Sequence, residues 1–208
     1  MRNAPRDAIA IIFAGGNGTR MQRPGPPKQF VAVGDRPILV HTLQHFQDHP
    51  GISGIYIACL QSFIGHAYDL VRRYQLNKVR KIVPGGDSAQ ASIHFGLESA
   101  VADGVDERTV TLIHDGVRPV VERGLISQNI ASAREYGSAI TAIPCFETIA
   151  MSLDDGRTIS SVTRRDLMYV LQAPQTFQLG DVHRANRRSV EDGLLGTFVD
   201  QAQLMCHY

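Results

Sequence analysis

Residues Ala8 to Met21 read AIAIIFAGGNGTRM. From Ala8 to Phe13 every side chain is apolar, so a strand here would be buried on both faces, as in a parallel sheet covered by helices. The run then meets Gly15, Gly16 and Gly18. Glycines directly after a strand let a loop backbone come close to an anion, and their exposed N–H groups can cradle phosphates. A tight strand-to-helix turn asks for the same residues. Arg20 adds a planar fork of donors. The loop is not a Walker A sequence, since no Gly-Lys-Ser/Thr ends it, nor a GxGxxG fingerprint, since position 21 is Met.

Outward from this loop, strand and helix patterns alternate. Leu39, Leu43 and Phe46 share a helical face; Ile55 to Cys59 reads as a strand; Phe63, Ala67, Leu70, Val71 and Tyr74 mark a helix; Lys81 to Val83 is a brief strand. Ile93, Leu97 and Ala100 keep helical spacing, Val110 to Ile113 is a strand, Leu125, Ile126, Ile130 and Ala133 form a stripe, and a strand lies near Ala139 to Ile143. A helix follows around Asp181 to Val190, and an amphipathic ending runs from Asp200 to Tyr208. The expected fold is α/β, a Rossmann-like, mostly parallel sheet with helices on both faces and ligands at the carboxyl ends of the strands.

The segment from Glu147 to Met168 breaks the rhythm. Thr148 to Leu153 and Thr158 to Thr163 carry β-type residues around Asp154, Asp155 and Gly156, a hairpin signal. We expect one domain over residues 1–208, with residues 147–168 a protruding β-hairpin arm. A lone hairpin is marginal in water. The arm therefore packs on a second subunit, giving a homodimer, or folds back on its own domain.

Further residues carry chemistry. Pro26, Pro27 and Lys28 follow the glycine loop, where the prolines can stiffen the chain and aim Lys28 at the same phosphates; taken alone, Lys28 is also an ordinary solvated lysine. GGDSAQAS, Gly85 to Ser92, sits at a strand-to-helix junction; HDGVRP, His114 to Pro119, ends another strand; LQAPQTF runs from Leu171 to Phe177.

AGGNGTRM followed by PPKQF resembles the glycine-rich loop of nucleotidyltransferases that activate sugar phosphates. The PKQ element is similar to that of cytidylyltransferases acting on 2-C-methyl-D-erythritol 4-phosphate or ribitol 5-phosphate. The other three motifs appear in that family's order. The resemblance implies transfer of CMP from CTP to a polyol phosphate, with release of pyrophosphate and no covalent enzyme intermediate. Arg20 and Lys28 are then the catalytic cations bracing the triphosphate. Ala14, Gly15, Gly16, Gly18, Gly85, Gly86 and Ser92 bind the nucleotide, with cytosine lying on backbone. Ser92 can equally be a helix-capping serine. Asp115 falls near nucleotide and substrate and would bind Mg²⁺ directly or through waters; Arg118 could instead neutralise it. Thr148 and Arg165, with Arg164 the rival, fall where relatives contact the polyol phosphate from the neighbouring subunit. Ala89 stands where the family has an arginine, and Glu147 where it has an aspartate. Relatives continue past the position of Tyr208 with a lysine-bearing strand of the type NIKVT and a last helix, so a continuation of this kind is expected.

Composition narrows the setting. The 208 residues carry 21 basic and 20 acidic side chains, so no global field draws the protein to nucleic acid or an anionic membrane. Cys59, Cys145 and Cys206 are far apart and lack metal-ligand spacing, which fits a reduced, cytoplasmic compartment. The apolar stretch after MRNAPRD is short for a signal peptide and is followed by glycines rather than a cleavage pattern. The remaining histidines share no spacing with carboxylates or cysteines, and His114 reads as a structural hydrogen-bonder. Two other classes stay open on the residues: a catalytically silent nucleotide-binding or regulatory subunit of the same fold, and, more distantly, a dinucleotide oxidoreductase.

Overall fold

A computed structural model describes residues 7–16 and 25–208. Six strands form one sheet in the order β5-β4-β1-β6-β10-β7. They are β5 (Val79–Pro84), β4 (Ile52–Cys59), β1 (Ala8–Ala14), β6 (Val110–Asp115), β10 (Tyr169–Gln178) and β7 (Ser138–Pro144). β1 pairs in parallel with β4 and with β6, and β4 with β5. β10 runs antiparallel between β6 and β7. A two-residue ribbon, β2 (Ala32–Val33) with β3 (Arg36–Pro37), lies outside the sheet.

The doubly apolar reading of the first run is explained by two cores. Ala8, Ala10, Ile12 and Ala14 point to one core, while Ile9 and Ile11 point to the other. On the first face pack α1 (Ile38–Asp48), α2 (Ile64–Arg73) and α4 (Arg123–Tyr136), through Leu39, Leu43, Phe46, Leu70, Ile126 and Ile130. On the second pack α3 (Ala89–Ala102), through Ile93, Leu97 and Ala100, and α5 (Leu179–Glu191), through Leu179 and Val182. Each fully buried Leu or Ile contributes roughly 1.5–3 kcal/mol, which is what clamps the helices to the sheet. Gly96 makes the α3 approach possible, since a Cβ there would come 2.6 Å from Ile11 Cγ2.

LQAPQTF, to which the sequence assigns no secondary structure, lies in β10, inside the sheet. Its ladder with β7 shifts register between Leu171 and Gln175, flanking Pro174, which has no N–H to donate. The arm is a hairpin, but only β8 (Ala150–Met151) and β9 (Ser161–Val162) pair as strands. Its tip is held by Asp154, whose carboxylate accepts from the Thr158 backbone N–H at 2.8 Å and from the Thr158 hydroxyl at 2.7 Å. These bonds hold the Asp154 carboxyl down at about 2. The chain closes with α6 (Gln201–His207), capped by Asp200, which accepts from Gln203 N–H. Among the described residues no helix is long and apolar enough to cross a membrane.

Candidate active site

The carboxyl ends of β1, β4, β5 and β6 open into a cleft of about 540 Å³, at the point where the strand order reverses about β1. Such a switch point is where open α/β sheets bind ligands. Ala14, Gly15, Gly16, Lys28, Gly85, Gly86, Ser92 and Asp115 all line it. The structure thus gathers these residues from three separate motifs. Gly18 and Arg20 lie outside the described residues.

The glycines divide into two kinds. A Cβ on Gly15 would sit 2.6 Å from Ser92 Oγ, and one on Gly85 3.1 Å from Gly15 Cα. The first and third crossover turns therefore touch backbone to backbone and form the back wall. Gly16 has open space where its Cβ would be, as a residue facing a ligand should. Ser92 is 1% exposed. Its hydroxyl accepts from Gly86 N–H at 3.1 Å and donates to the Ser88 carbonyl at 3.0 Å. The capping alternative for Ser92 is overturned: Ser88 caps α3, accepting from Ala91 N–H. Ser92 instead sets the Gly86 turn from below.

Lys28 begins a 3₁₀ turn, Lys28–Phe30, at the cleft rim. What places it there is Gln29, which the sequence reading did not single out. Its buried amide donates to the Ala14 carbonyl at 2.6 Å and the Gly16 carbonyl at 3.3 Å, tying this turn to the glycine loop. Phe30 stacks on Phe63 with ring centroids 4.9 Å apart and anchors the other side. Cys59, at the end of β4, is buried and its thiol is pushed up to about 11, so it is inert backing.

A second cleft, about 470 Å³, adjoins the first and shares Phe13, Ala89 and Asp115 with it. Arg118, Gln172, Gln175, Val199, Asp200 and Gln201 also line it. Asp115 thus stands where the two meet. One of its oxygens accepts from Val117 N–H at 3.0 Å. The other is 3.9 Å from Arg118 Nε, too long for a hydrogen bond. Arg118 thus faces Asp115 as a long ion pair without a hydrogen bond, the partial neutralisation the sequence allowed, while its Nη1 donates to Gln172 Oε1 at 2.9 Å. The wall opposite is closed from far along the chain. Gln90 accepts from Gly196 N–H at 2.8 Å, and Gln175 donates to Asp200 Oδ2 at 2.8 Å and accepts from Ala202 N–H at 2.9 Å. His114, beside Asp115, is buried, and desolvation holds its imidazole below the usual histidine range.

Thr148 and Arg165 are not brought to these clefts within one chain. Both are exposed on the arm, and neither lines either cleft. Arg164 is engaged with Asp166, Nη2 to Oδ2 at 2.5 Å, leaving Arg165 the freer of the two rival arginines. Among the described residues no cluster of three or more His, Cys, Asp and Glu forms a metal cage. Mg²⁺ needs no such cage, because one or two carboxylates suffice when phosphates supply the rest. The unbonded edge of Asp115 fits that donor set.

A doubly wound sheet with a switch-point cleft walled by glycine turns defines a nucleotide-binding α/β protein. The family model for 2-C-methyl-D-erythritol 4-phosphate cytidylyltransferase (IspD) matches residues 8–208, and the chain belongs to that family of CTP-dependent nucleotidyltransferases. A ribitol-5-phosphate cytidylyltransferase of Streptococcus agalactiae serotype III (strain NEM316) is 39% identical over 200 residues, covering 96% of this chain and 82% of that protein. A 2-C-methyl-D-erythritol 4-phosphate cytidylyltransferase of Syntrophus aciditrophicus (strain SB) is 36% identical over 198 residues, covering 95% and 81%. Among solved structures, 4-diphosphocytidyl-2C-methyl-D-erythritol synthase from Anaerococcus prevotii DSM 20548 superposes with a TM-score of 0.80 at 25% identity, over 97% of this chain and 82% of that one.

Proposed function

We propose that the first cleft takes CTP, that the second takes ribitol 5-phosphate, and that the chain transfers CMP between them. The observation that carries this reading is the meeting of the two clefts at Asp115. An acceptor phosphate in one can then face the α-phosphorus of a nucleotide in the other. The acceptor phosphate is already ionised at neutral pH, so no general base is required. An oxygen of the polyol phosphate attacks the α-phosphorus, the α–β bridging bond breaks, and pyrophosphate leaves with that electron pair. Attacker and target are both anions, so the protein's work is positioning and charge stabilisation.

In this reading cytosine rests on the Gly85–Gly86 turn set by Ser92, where backbone and small residues leave space for a pyrimidine. The triphosphate runs over Gly15 and Gly16 toward Lys28; Gly18 and Arg20, outside the described residues, are assigned to it by the family resemblance alone. Mg²⁺, held by Asp115 with phosphate oxygens, would supply further neutralisation of the triphosphate. The polyol phosphate lies toward Arg118. The similarity to ribitol-5-phosphate cytidylyltransferases supports ribitol 5-phosphate as the acceptor.

The arm presents Leu153, Ile159, Val162 and Leu167 to solvent, and Phe146 at its base joins them, each at least 60% exposed. So much unpartnered apolar surface on a two-residue ladder favours a homodimer, in which Thr148 and Arg165 reach a neighbour's polyol cleft. Pyrophosphate release tests the function. Turnover with CTP and ribitol 5-phosphate, above that with 2-C-methyl-D-erythritol 4-phosphate, supports it. Preference for the methyl-branched substrate overturns the choice of polyol, and turnover with UTP or ATP but not CTP overturns the base assignment.

A further inference from the structure

His114 is 1% exposed, yet a single hydrogen bond accounts for its polar character. Its Nε2 lies 2.9 Å from the carbonyl oxygen of Arg118. A carbonyl only accepts, so Nε2 must carry the hydrogen. Nδ1 is left without a partner among the described residues, and the ring packs against Phe46 with centroids 5.2 Å apart. An apolar side chain could fill the same volume without an orphaned nitrogen. The bond to Arg118 is therefore what a histidine adds here.

The intervening turn is tied at every step. Arg118 N–H donates to the Asp115 carbonyl at 3.1 Å, Val117 N–H to Asp115 Oδ1 at 3.0 Å, and Thr42 Oγ1 to the Gly116 carbonyl at 3.0 Å. At the far end of the same residue, Gln172 Oε1 accepts from Arg118 Nη1 at 2.9 Å. That contact uses one donor of the guanidinium fork; Nε faces Asp115 Oδ2 at 3.9 Å, and the other donors make no hydrogen bond among the described residues. A long, half-exposed arginine would otherwise lose its orientation to rotamer freedom.

We propose that His114 and Gln172 are positioning residues that hold Arg118 from its backbone and its guanidinium ends, so that its free donors meet the acceptor phosphate. This rests on the function proposed above. Neither residue touches the reacting atoms.

The test uses the full chain with CTP and whichever polyol phosphate the wild type turns over, each varied at saturating levels of the other. His114→Met fills the space but removes the donor. His114→Gln returns an amide N–H near the same place. Gln172→Leu frees the guanidinium at a partly exposed site. We expect His114→Met and Gln172→Leu to raise KM for the polyol phosphate about tenfold, the size of a lost bond to a charged group, while KM for CTP changes by less than about twofold. His114→Gln recovers most of the loss. Both KM values rising together, or His114→Gln as impaired as His114→Met, overturns the proposal. If His114→Met does not fold, Gln172→Leu decides, and an unchanged polyol KM overturns it. A wild type inactive with both polyol phosphates overturns the functional reading and this inference with it. An active wild type with unselective variants overturns this inference alone.

Discussion

Gly15→Ala probes the back wall of the nucleotide cleft. The new Cβ would lie 2.6 Å from Ser92 Oγ, closer than real carbon and oxygen atoms approach. Ser92 is buried and its hydroxyl is bound on both sides, to Gly86 N–H and the Ser88 carbonyl. To yield, it must give up both bonds or push the crossover turn outward. Two hydrogen bonds at ~0.5–1.5 kcal/mol each, or overpacking at ~1–3 kcal/mol, put the cost at roughly 1–3 kcal/mol. Ser92→Ala alone loses the same two bonds and costs a similar amount. In the double variant the clash disappears, because the next neighbours of that Cβ are Gly85 Cα at 3.4 Å and the residue-92 Cβ at 3.6 Å, both ordinary contacts. The bonds can be lost only once, so the double variant should be more stable than the sum predicts by about 1–2 kcal/mol. Urea unfolding of the wild type, both single variants and the double variant measures that coupling. Costs that add to within about 0.5 kcal/mol would refute the claim that the two crossover turns press on each other through this pair.

Three further outcomes follow from the same geometry. Lys28→Ala should lower kcat about 10²- to 10³-fold while weakening CTP binding much less, if its charge meets the developing transition state as proposed; calorimetry beside steady-state rates checks this, and an unchanged kcat removes Lys28 from the chemistry. Paired Leu153→Asp and Ile159→Asp substitutions put charge on the arm's exposed apolar face and should convert a dimer to monomers in analytical ultracentrifugation with little change in the thermal midpoint; a wild type that sediments as a monomer contradicts the arm's proposed role. Desolvation holds His49 and His94 below the usual histidine range, so the unfolded chain binds their protons more readily. Their stabilising contribution is complete above about pH 6.5 and is lost as the pH falls below it toward their folded-state values. Melting curves between about pH 8 and pH 5 should show falling midpoints, whereas a midpoint that rises on acidification contradicts the assignment.

How much of this could be read from residues alone depended on where each residue's partners lie. β1 was plain because Ala8 to Phe13 face two cores and must be apolar throughout. β10 was hidden because Gln172, Pro174, Gln175, Thr176 and Gln178 do not look like a strand inside a sheet. Their polar groups are satisfied across the fold, Thr176 by Asn129 at 3.0 Å and Gln175 by Asp200, and no local pattern announces such partners. The same limit applied at the site. Glycine turns at strand ends are a local signal, and the described ones converge as expected. Gln29 was silent because an amide that ties a loop to a carbonyl thirteen or fifteen residues back has no sequence period. The polyol cleft needed the loop around Asp200 folded against Gln90 and Gln175, contacts that span 106 and 25 residues. Ser92 was the candidate for a helix start, and only the bond from Ala91 N–H to Ser88 Oγ showed that the cap lies four residues earlier.

A crystal of the full chain grown with CTP puts the account to its most direct trial. Density for cytosine against Gly85, Gly86 and Ser92, with the α-phosphate near Asp115 and the outer phosphates beside Lys28, is the predicted result. Nucleotide bound elsewhere, for instance in the cleft between Arg80 and Asp103 at the opposite end of the strands, with Lys28 turned to bulk water, would contradict it.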